Sequence, residues 1–404
     1  MVTTMAAPEK ELAGILERDP DEVSAWEGSL FDQLAGDKRD QLVLCGAGGL
    51  GRKILAGLRV AGVEPLCFTD NNRALAGKTV DGLRVVAPEE AAKEFGGTAA
   101  FVVAVWGAHS RDRLADRKAQ WKALGCETVI SFLPLFWKFP GNYLPHYSCD
   151  LPHKVFERAN EVMKAASLLA DDRSRAEFNA QVRWRTELDF GGLPAPVPGL
   201  PYFPEDVVRL KNDERFVDCG AFDGDTLRDF LVVSQGQFER YWALEPDPMN
   251  FAKLQSYVGT LGGPVAERIT VSPVAASNRR EKLRFAADAN ASSTLDPEGG
   301  VEVQGERLDV LLGGCRPTFV KMDIEGAELA ALEGCGDILS QARPTIAVSA
   351  YHLQEHLWEL PLYLAERLRD YRFFLRPHDL EGWDVVLYAV PAESTVATGK
   401  TPGA

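Results

Sequence analysis

The sequence predicts an α/β protein with two sheets, a smaller α/β domain followed by a larger, doubly wound, mostly parallel sheet. Three observations carry this. Short apolar runs alternate with helical periodicity through both halves of the chain. Each half opens with a strand that runs into a glycine-rich turn, "QLVLCGAGGLG" at 41–51 and "RFVDCGAFDGD" at 215–225. In each half an acid closes the next strand, Asp70 and then Glu245. A chain of 404 residues is long enough for two or three such cores.

Taken in order, residues 1–40 read as an amphipathic helical segment with charged flanks, expected to be a docking segment. Residues 41–135 form the first domain. A strand at 41–45 meets Gly46, Gly48 and Gly51, "RKILAGLRVAG" is helical, and "EPLCFT" ends at Asp70, 19 residues past the last glycine. A dinucleotide turn needs a glycine for the bend, one for backbone approach to phosphate, one for helix packing, and an acid for a ribose hydroxyl. With strands at 99–106 and 128–133, this is a small Rossmann-like domain of four or five strands, with Gly46, Gly48, Gly51 and Asp70 as its nucleotide site; "CFTDNN" and "GKTVDGLRVVAPEEA" look similar to nucleotide or nucleotide-sugar binding modules.

Residues 136–202 change character: an aromatic loop, a long helical stretch, then the proline-rich "GGLPAPVPGLPYFP", expected as a linker and hinge. Residues 203–392 return to strand–helix alternation, with eight strand candidates: "RFVDCG", "RYWALEP", "RITVSPVA", "LRFAA", "TFVKMD", "TIAVSAYH", "YRFFLRP" and "VVLYAV". The last two read as a closing antiparallel hairpin, and 393–404 as a flexible tail. The aromatic cluster of "WKFPGNY" with Tyr202, Phe203, Trp358 and Trp383 could shape an acceptor pocket, but is expected first to fill core.

Composition narrows the function. Against 44 basic side chains stand 59 acidic ones, a net charge of −15 that repels nucleic acid and anionic membranes. "RDRLADRK" at 111–118 mixes signs and reads as a solvated helix face. The seven cysteines, with no CxxC pair, fit reduced thiols, and no apolar run approaches the roughly 18 residues of a membrane span. The expectation is a cytoplasmic protein with no nucleic-acid or membrane partner. His352 and His356 alone among the histidines share i, i+4 spacing, and a structural role is expected of them before a metal one.

The second glycine turn differs from the first. Asp218, Asp223 and Asp225 surround it and no basic residue follows until Arg228, which suits a pyrophosphate poorly and a ligand with a cationic end well. Glu245, 21 residues after Gly224, is placed to accept the protons of a ribose diol.

Four segments here, in order and at compatible spacings, resemble the FkbM family of S-adenosylmethionine-dependent methyltransferases: "FVDCGAFDGDT", "ALEPDPMNFAKL", "VSPVAAS" and "VKMDIEGAELAALEG". The resemblance covers 203–390 and extends in type to longer members with an N-terminal Rossmann-like domain. It implies a class I methyltransferase fold for 203–392 and S-adenosylmethionine as cofactor. It further implies that Asp218, Gly220, Ala221, Gly224, Asp225 and Thr226 line the methionine and ribose end, that Glu245 binds the ribose, and that Ala276, with Ser277 or Ser293, lies near the adenine or the mouth of the pocket. The "KMDIEGAE" block then faces the methyl group. Many members place a glutamate ahead of the late-strand histidine, where this chain has Ser349, Ala350 and Tyr351 before His352.

Methyl transfer to oxygen is an in-line displacement, in which holding the acceptor near ~3 Å is worth roughly 7–11 kcal/mol and taking its proton adds about 10²–10⁴ in rate. Asp323, Glu325 and His352 are the candidates for that proton, with no metal expected; Glu328 is expected to start the following helix. The expected function is O-methylation of a hydroxyl on a small metabolite or glycan, in a chain that could form homo-oligomers. Two rivals are an NAD- or nucleotide-sugar-dependent enzyme working through the first glycine turn, with His109 as its base, and a non-catalytic cofactor-binding protein.

Overall fold

The computed structural model describes residues 7–110, 112–285 and 300–395. Two helices, Ala7–Ile15 and Pro20–Ala35, precede the first sheet. Asp19 caps the second by accepting from the Asp21 and Glu22 amides, with Pro20 at its first position. Their apolar faces, Leu12, Val23 and Phe31, are buried against later helices. The expected docking segment is therefore two helices.

The first sheet contains β1 (Leu42–Cys45), β2 (Cys67–Thr69), β3 (Thr79–Val80), β4 (Leu83–Val86), β5 (Ala100–Val103) and β6 (Thr128–Ser131), in the order β3-β4-β2-β1-β5-β6. All pairings are parallel except β3–β4. The β3–β4 hairpin was not among the expected strands, because β3 is two residues long and β4 is cut short by Pro88.

The second half contains β7 (Arg215–Cys219), β8 (Arg240–Leu244), β9 (Ile269–Ser272), β10 (Val274–Ala276), β11 (Glu281–Phe285), β12 (Val301–Glu306), β13 (Phe319–Met322), β14 (Thr345–Ser349), β15 (Tyr371–Pro377) and β16 (Val385–Pro391). Seven form the main sheet, ordered β15-β16-β14-β13-β7-β8-β9. It is parallel through β14, and β16 is antiparallel to both β14 and β15, giving the closing hairpin expected from the sequence. Strand order reverses between β7 and β13, which places the crevice for a ligand at their carboxyl ends.

Two of the eight expected strands are placed differently. "RITVSPVA" breaks at Pro273 into β9, in the main sheet, and β10, in a separate three-stranded sheet ordered β10-β12-β11. "LRFAA" contributes to β11 in that same small sheet, and β12 has no counterpart in the expected set.

The segment expected as a hinge is instead a wedge. Helices Phe132–Lys138, Ala159–Leu168 and Asp172–Glu187 bury Phe136, Val162 and Trp184 in one continuous apolar core that also holds Leu44 of β1, Val217 of β7 and Leu387 of β16. Arg376 of β15 is buried and ion-paired to Asp171 at 2.6 Å and Asp206 at 2.9 Å, tying connector to sheet. None of the seven cysteines forms a disulfide, and only Cys315 is exposed. Among the described residues no helix is long and apolar enough to cross a membrane. Part of the expected tail, 396–404, lies outside the described residues.

Candidate active site

A cavity of about 710 Å³ opens at the switch point. One end is built by the turns after β7 and β8. Lys321 and Asp218 are register partners on adjacent strands, and Lys321 Nζ lies 2.9 Å from Asp218 Oδ1 while donating to the Gly220 carbonyl at 2.7 Å. Tyr241 donates to the other Asp218 oxygen at 2.7 Å. Burial opposes the charge on Lys321, but Asp218, Asp323 and Asp225 together hold its pKa above the usual lysine range.

Gly220 has φ +80, and a β-carbon on it would lie 1.9 Å from the Asp323 carbonyl oxygen, so the β7 and β13 turns meet only because the side chain is absent. Gly220 and Ala221 both donate to the Leu244 carbonyl at 3.0 Å, docking the turn on the end of β8. Glu245 follows. Its Oε2 accepts from the Phe222 amide and its Oε1 from the Asp247 amide, each at 2.8 Å. Each oxygen keeps a lone pair for a further donor, the arrangement a vicinal diol requires. Burial, opposed by those two amides, pushes the Glu245 carboxyl up to about 7.

Of the residues expected to hold the cofactor, Gly220, Asp225, Thr226, Glu245 and Ala276 line this cavity. Asp218, Ala221 and Gly224 do not: Asp218 and Ala221 are fully buried behind the wall, and Gly224 caps the helix Asp225–Val233 at φ +91. Their place is support of the turn. Ser277 bonds Glu281 and is also off the cavity, and Ser293 lies outside the described residues.

The acidic cradle read from the sequence is correspondingly smaller. Asp218 is compensated by Lys321 and Asp223 is paired with Arg228, leaving Asp225 and Asp229 as the acids of that helix on the cavity wall. Burial raises the carboxyl of each above the usual range.

The other end of the cavity is set by "KMDIEGAE". Asp323 Oδ2 accepts from Tyr202 at 2.6 Å; Oδ1 accepts from Tyr351 at 3.2 Å and lies 3.2 Å from His352 Nε2. His352 Nδ1 donates to Glu328 Oε1 at 2.8 Å. Burial works against both charges, yet Glu328 and Asp323 hold the His352 imidazole protonated, and His352, Lys321 and Tyr202 hold the Asp323 carboxyl well below the usual range. His352, expected as a candidate base, is thus buried between two acids that raise its pKa, with Nδ1 bonded to Glu328, and does not reach the cavity. Glu328 starts the helix Glu328–Glu333 as expected and accepts from the Ile324 amide at 2.8 Å. His356 Nδ1 lies 3.3 Å from its other oxygen, so the histidine pair is structural.

Glu325 is different. It sits at φ +55 on the cavity wall, its nearest cation His352 Nε2 at 3.9 Å. Burial, reinforced by Asp323, Glu328 and Asp384, pushes its carboxyl up to about 8. A base at that value is suited to accept a proton near neutral pH.

Several cavity residues come from far along the chain. Asp384, in the β15–β16 turn, lines the wall and is raised to about 6 by burial and the facing Asp323. Trp383 beside it lies 4.4 Å from Trp106 of the first sheet's β5 turn and 4.6 Å from Tyr147 of the connector, centroid to centroid. Tyr202 and Trp383 are buried in the core as expected and also line the cavity, while Phe203 and Trp358 are core away from it. Lys53 and His109 of the first domain complete this end. The β15–β16 turn is tied to that domain: Asp379 Oδ2 accepts from the His109 amide at 2.5 Å, and Trp106 Nε1 donates to the Glu381 carbonyl at 3.3 Å.

Among the described residues two groups bring three potential metal-binding atoms within 4.8 Å of one another, Asp323–Glu328–His352 and His109–Asp379–Asp384. In the first, His352 Nδ1 is already bonded to Glu328 and its Nε2 faces Asp323 at 3.2 Å. A smaller cleft of about 300 Å³ lies at the carboxyl ends of β1, β2 and β5; Gly46, Gly48 and Asp70 line it, while Gly51 packs against Gly46 behind it.

Residues 218–375 match the model of the methyltransferase FkbM domain. The crystal structure of methyltransferase FkbM from Methylobacillus flagellatus KT superposes with a TM-score of 0.77 at 24% identity, covering 95% of this chain and 99% of that one, which establishes a shared fold. Precorrin 8w decarboxylase from Methanobacterium thermoautotrophicum aligns over 44% of this chain and 82% of its own at 16% identity, and its TM-score of 0.25 carries no argument. No curated protein gives a significant match.

Proposed function

From the FkbM methyltransferase domain at residues 218–375, we propose that this protein is an S-adenosylmethionine-dependent O-methyltransferase acting on a hydroxyl of a small metabolite or glycan. One observation carries the reading: a single cavity at the switch point has a diol-accepting carboxylate, Glu245, at one end and a carboxyl poised near neutral pH, Glu325, at the other.

The residues present fit the cofactor. Glu245 would hold the ribose hydroxyls, Asp225 and Asp229 would face its cationic groups, and Val274 to Ala276 would pack against the base. When bound, S-adenosylmethionine supplies an electrophilic methyl carbon on a sulfonium. Glu325 would take the proton of the acceptor hydroxyl as the oxygen attacks. Asp323, fixed as an anion by His352 and the two tyrosines, keeps the Glu325 proton affinity high through like-charge repulsion. The cluster of Trp106, Tyr147 and Trp383, in tilted and edge-to-face contact, offers an apolar surface of the kind a sugar ring packs on. The wall reaching from the first domain over this end would exclude water and define the acceptor.

Incubation with radiolabelled S-adenosylmethionine and a panel of hydroxyl acceptors, including sugars and glycosides, tests this. Label should appear in an ether-linked methyl, and Glu325→Gln should lower the rate by about 10²–10⁴ while S-adenosylhomocysteine still binds. Label transfer only to nitrogen, or undiminished turnover in Glu325→Gln, would overturn it.

A further inference from the structure

We propose that the cleft of the first sheet is a second ligand site, taking the ribose and phosphates of a nucleoside diphosphate. The methyl-transfer reading leaves this cleft unused.

The ribose end repeats a device found in the main sheet. Asp70 Oδ2 accepts from the Ala47 amide and Oδ1 from the Asn72 amide, each at 2.8 Å. Glu245 is tied in the same way, by an amide of its glycine turn and the amide two residues ahead. In both, a carboxylate at the end of the second strand has its oxygens aligned by backbone, with one lone pair apiece directed elsewhere. One chain thus carries two diol clamps.

The phosphate end is the start of the helix Gly49–Val60. Its cap is Gly48, which has no side chain to satisfy the first-turn amides, and no acid lies in the first turn. Around Gly48 there is open space within 4 Å. Such an end attracts an anion, and a second, independent feature points to the same occupant. Thr69 lines the cleft, is 0% exposed, and its Oγ1 has no hydrogen-bond partner among the described residues. A hydroxyl buried without a partner costs roughly 1–3 kcal/mol, a cost that a ligand oxygen at this wall would offset. Arg117 on the facing helix lines the cleft with its guanidinium 3.7 Å from Asp112 and donating to the Ser110 hydroxyl at 3.0 Å, and the reciprocal amide pair of Asn71 and Gln120, at 2.7 and 3.1 Å, spans from one wall to the other. A volume near 300 Å³ accommodates a nucleotide's core.

Gly49, Leu50 and Trp106 line both this cleft and the larger cavity. A group attached beyond the phosphates is therefore directed at the methyl-transfer site, which distinguishes a nucleotide sugar from a free nucleotide or a dinucleotide such as NAD.

Calorimetric titration of the full chain with ADP, UDP-glucose and NAD in parallel, with and without saturating S-adenosylhomocysteine, tests the site. Saturable one-to-one binding of ADP and UDP-glucose, tighter for UDP-glucose and undisplaced by S-adenosylhomocysteine, is expected, and binding of NAD alone would overturn the assignment. Thr69→Val and Asp70→Asn should each weaken it at least about tenfold. S-adenosylhomocysteine affinity should be unchanged in Thr69→Val, which also reports an intact fold. Binding of none of the three, binding indifferent to both substitutions, or displacement by S-adenosylhomocysteine would overturn the proposal. Nucleotide binding without S-adenosylhomocysteine binding would instead sink the methyl-transfer reading and leave this one standing.

Discussion

Replacing Glu325 with glutamine should make the protein more stable in mild alkali, by an amount the site geometry sets. The side chain is 19% exposed and faces Asp323, Glu328 and Asp384, and its carboxyl rises from 4.5 to about 8. Because the folded-state value lies above the unfolded one, its contribution to stability is fully present below about pH 4.5 and is lost as pH rises through about 8. A shift of that size corresponds to at most about 5 kcal/mol. Glutamine has no charge to develop, so the variant should track the wild type at pH 5 and exceed it increasingly toward pH 9. With ~2.1 cal/mol/K per residue of unfolding entropy, the gap for this chain is about 6 °C in Tm at most. Differential scanning calorimetry of both proteins from pH 5 to 9 at constant ionic strength reads the difference. Parallel curves, or a variant less stable at pH 9, would refute the claim that Glu325 is held proton-avid by its neighbours.

Three further outcomes are expected from other contacts. Glu245→Ala removes both ribose acceptors and should weaken S-adenosylhomocysteine binding about 100-fold or more by calorimetry, with the secondary structure kept by circular dichroism. Lys321→Met leaves Asp218 charged and unpaired at full burial, at a cost of about 3–5 kcal/mol in urea unfolding; adding Asp218→Asn should recover much of it, and an additive double variant would contradict the pairing. Gly220→Ala drives a β-carbon into the Asp323 carbonyl and should abolish cofactor binding even at low temperature, whereas Gly48→Ala, with open space around it, should not.

The features legible in the sequence are those encoded locally. A strand entering a glycine turn and an acid ending the next strand lie within about thirty residues of each other, so the place of Gly220, Asp225 and Glu245 on the cavity wall was readable before any contact was known, while Thr226 came from the family resemblance. Charge counting along the turn was misleading, because the cation that compensates Asp218 comes from β13, about a hundred residues later, brought alongside only by strand register. Asp384 gave no local signal, and Trp383 and Tyr202 stood out only as aromatics: they enter through the β15–β16 turn and the connector's end, where topology rather than periodicity decides what they face. His352 looked like a base from its residue type, and its two acidic partners, Asp323 and Glu328, turn it into a fixed cation. β12 was missed since "VEVQGE" carries only two apolar residues, enough for one side of a three-stranded sheet and too few for a core strand.

The central claim is that the switch-point cavity holds S-adenosylmethionine with its ribose on Glu245 and its methyl toward Glu325. A crystal structure with S-adenosylhomocysteine and a hydroxyl acceptor tests it most directly. Both ribose hydroxyls should lie within hydrogen-bond distance of the Glu245 oxygens, with the sulfur facing the wall formed by Glu325 and Asp384. A ribose bound elsewhere, or a cavity filled by a nucleotide's phosphates, would contradict it.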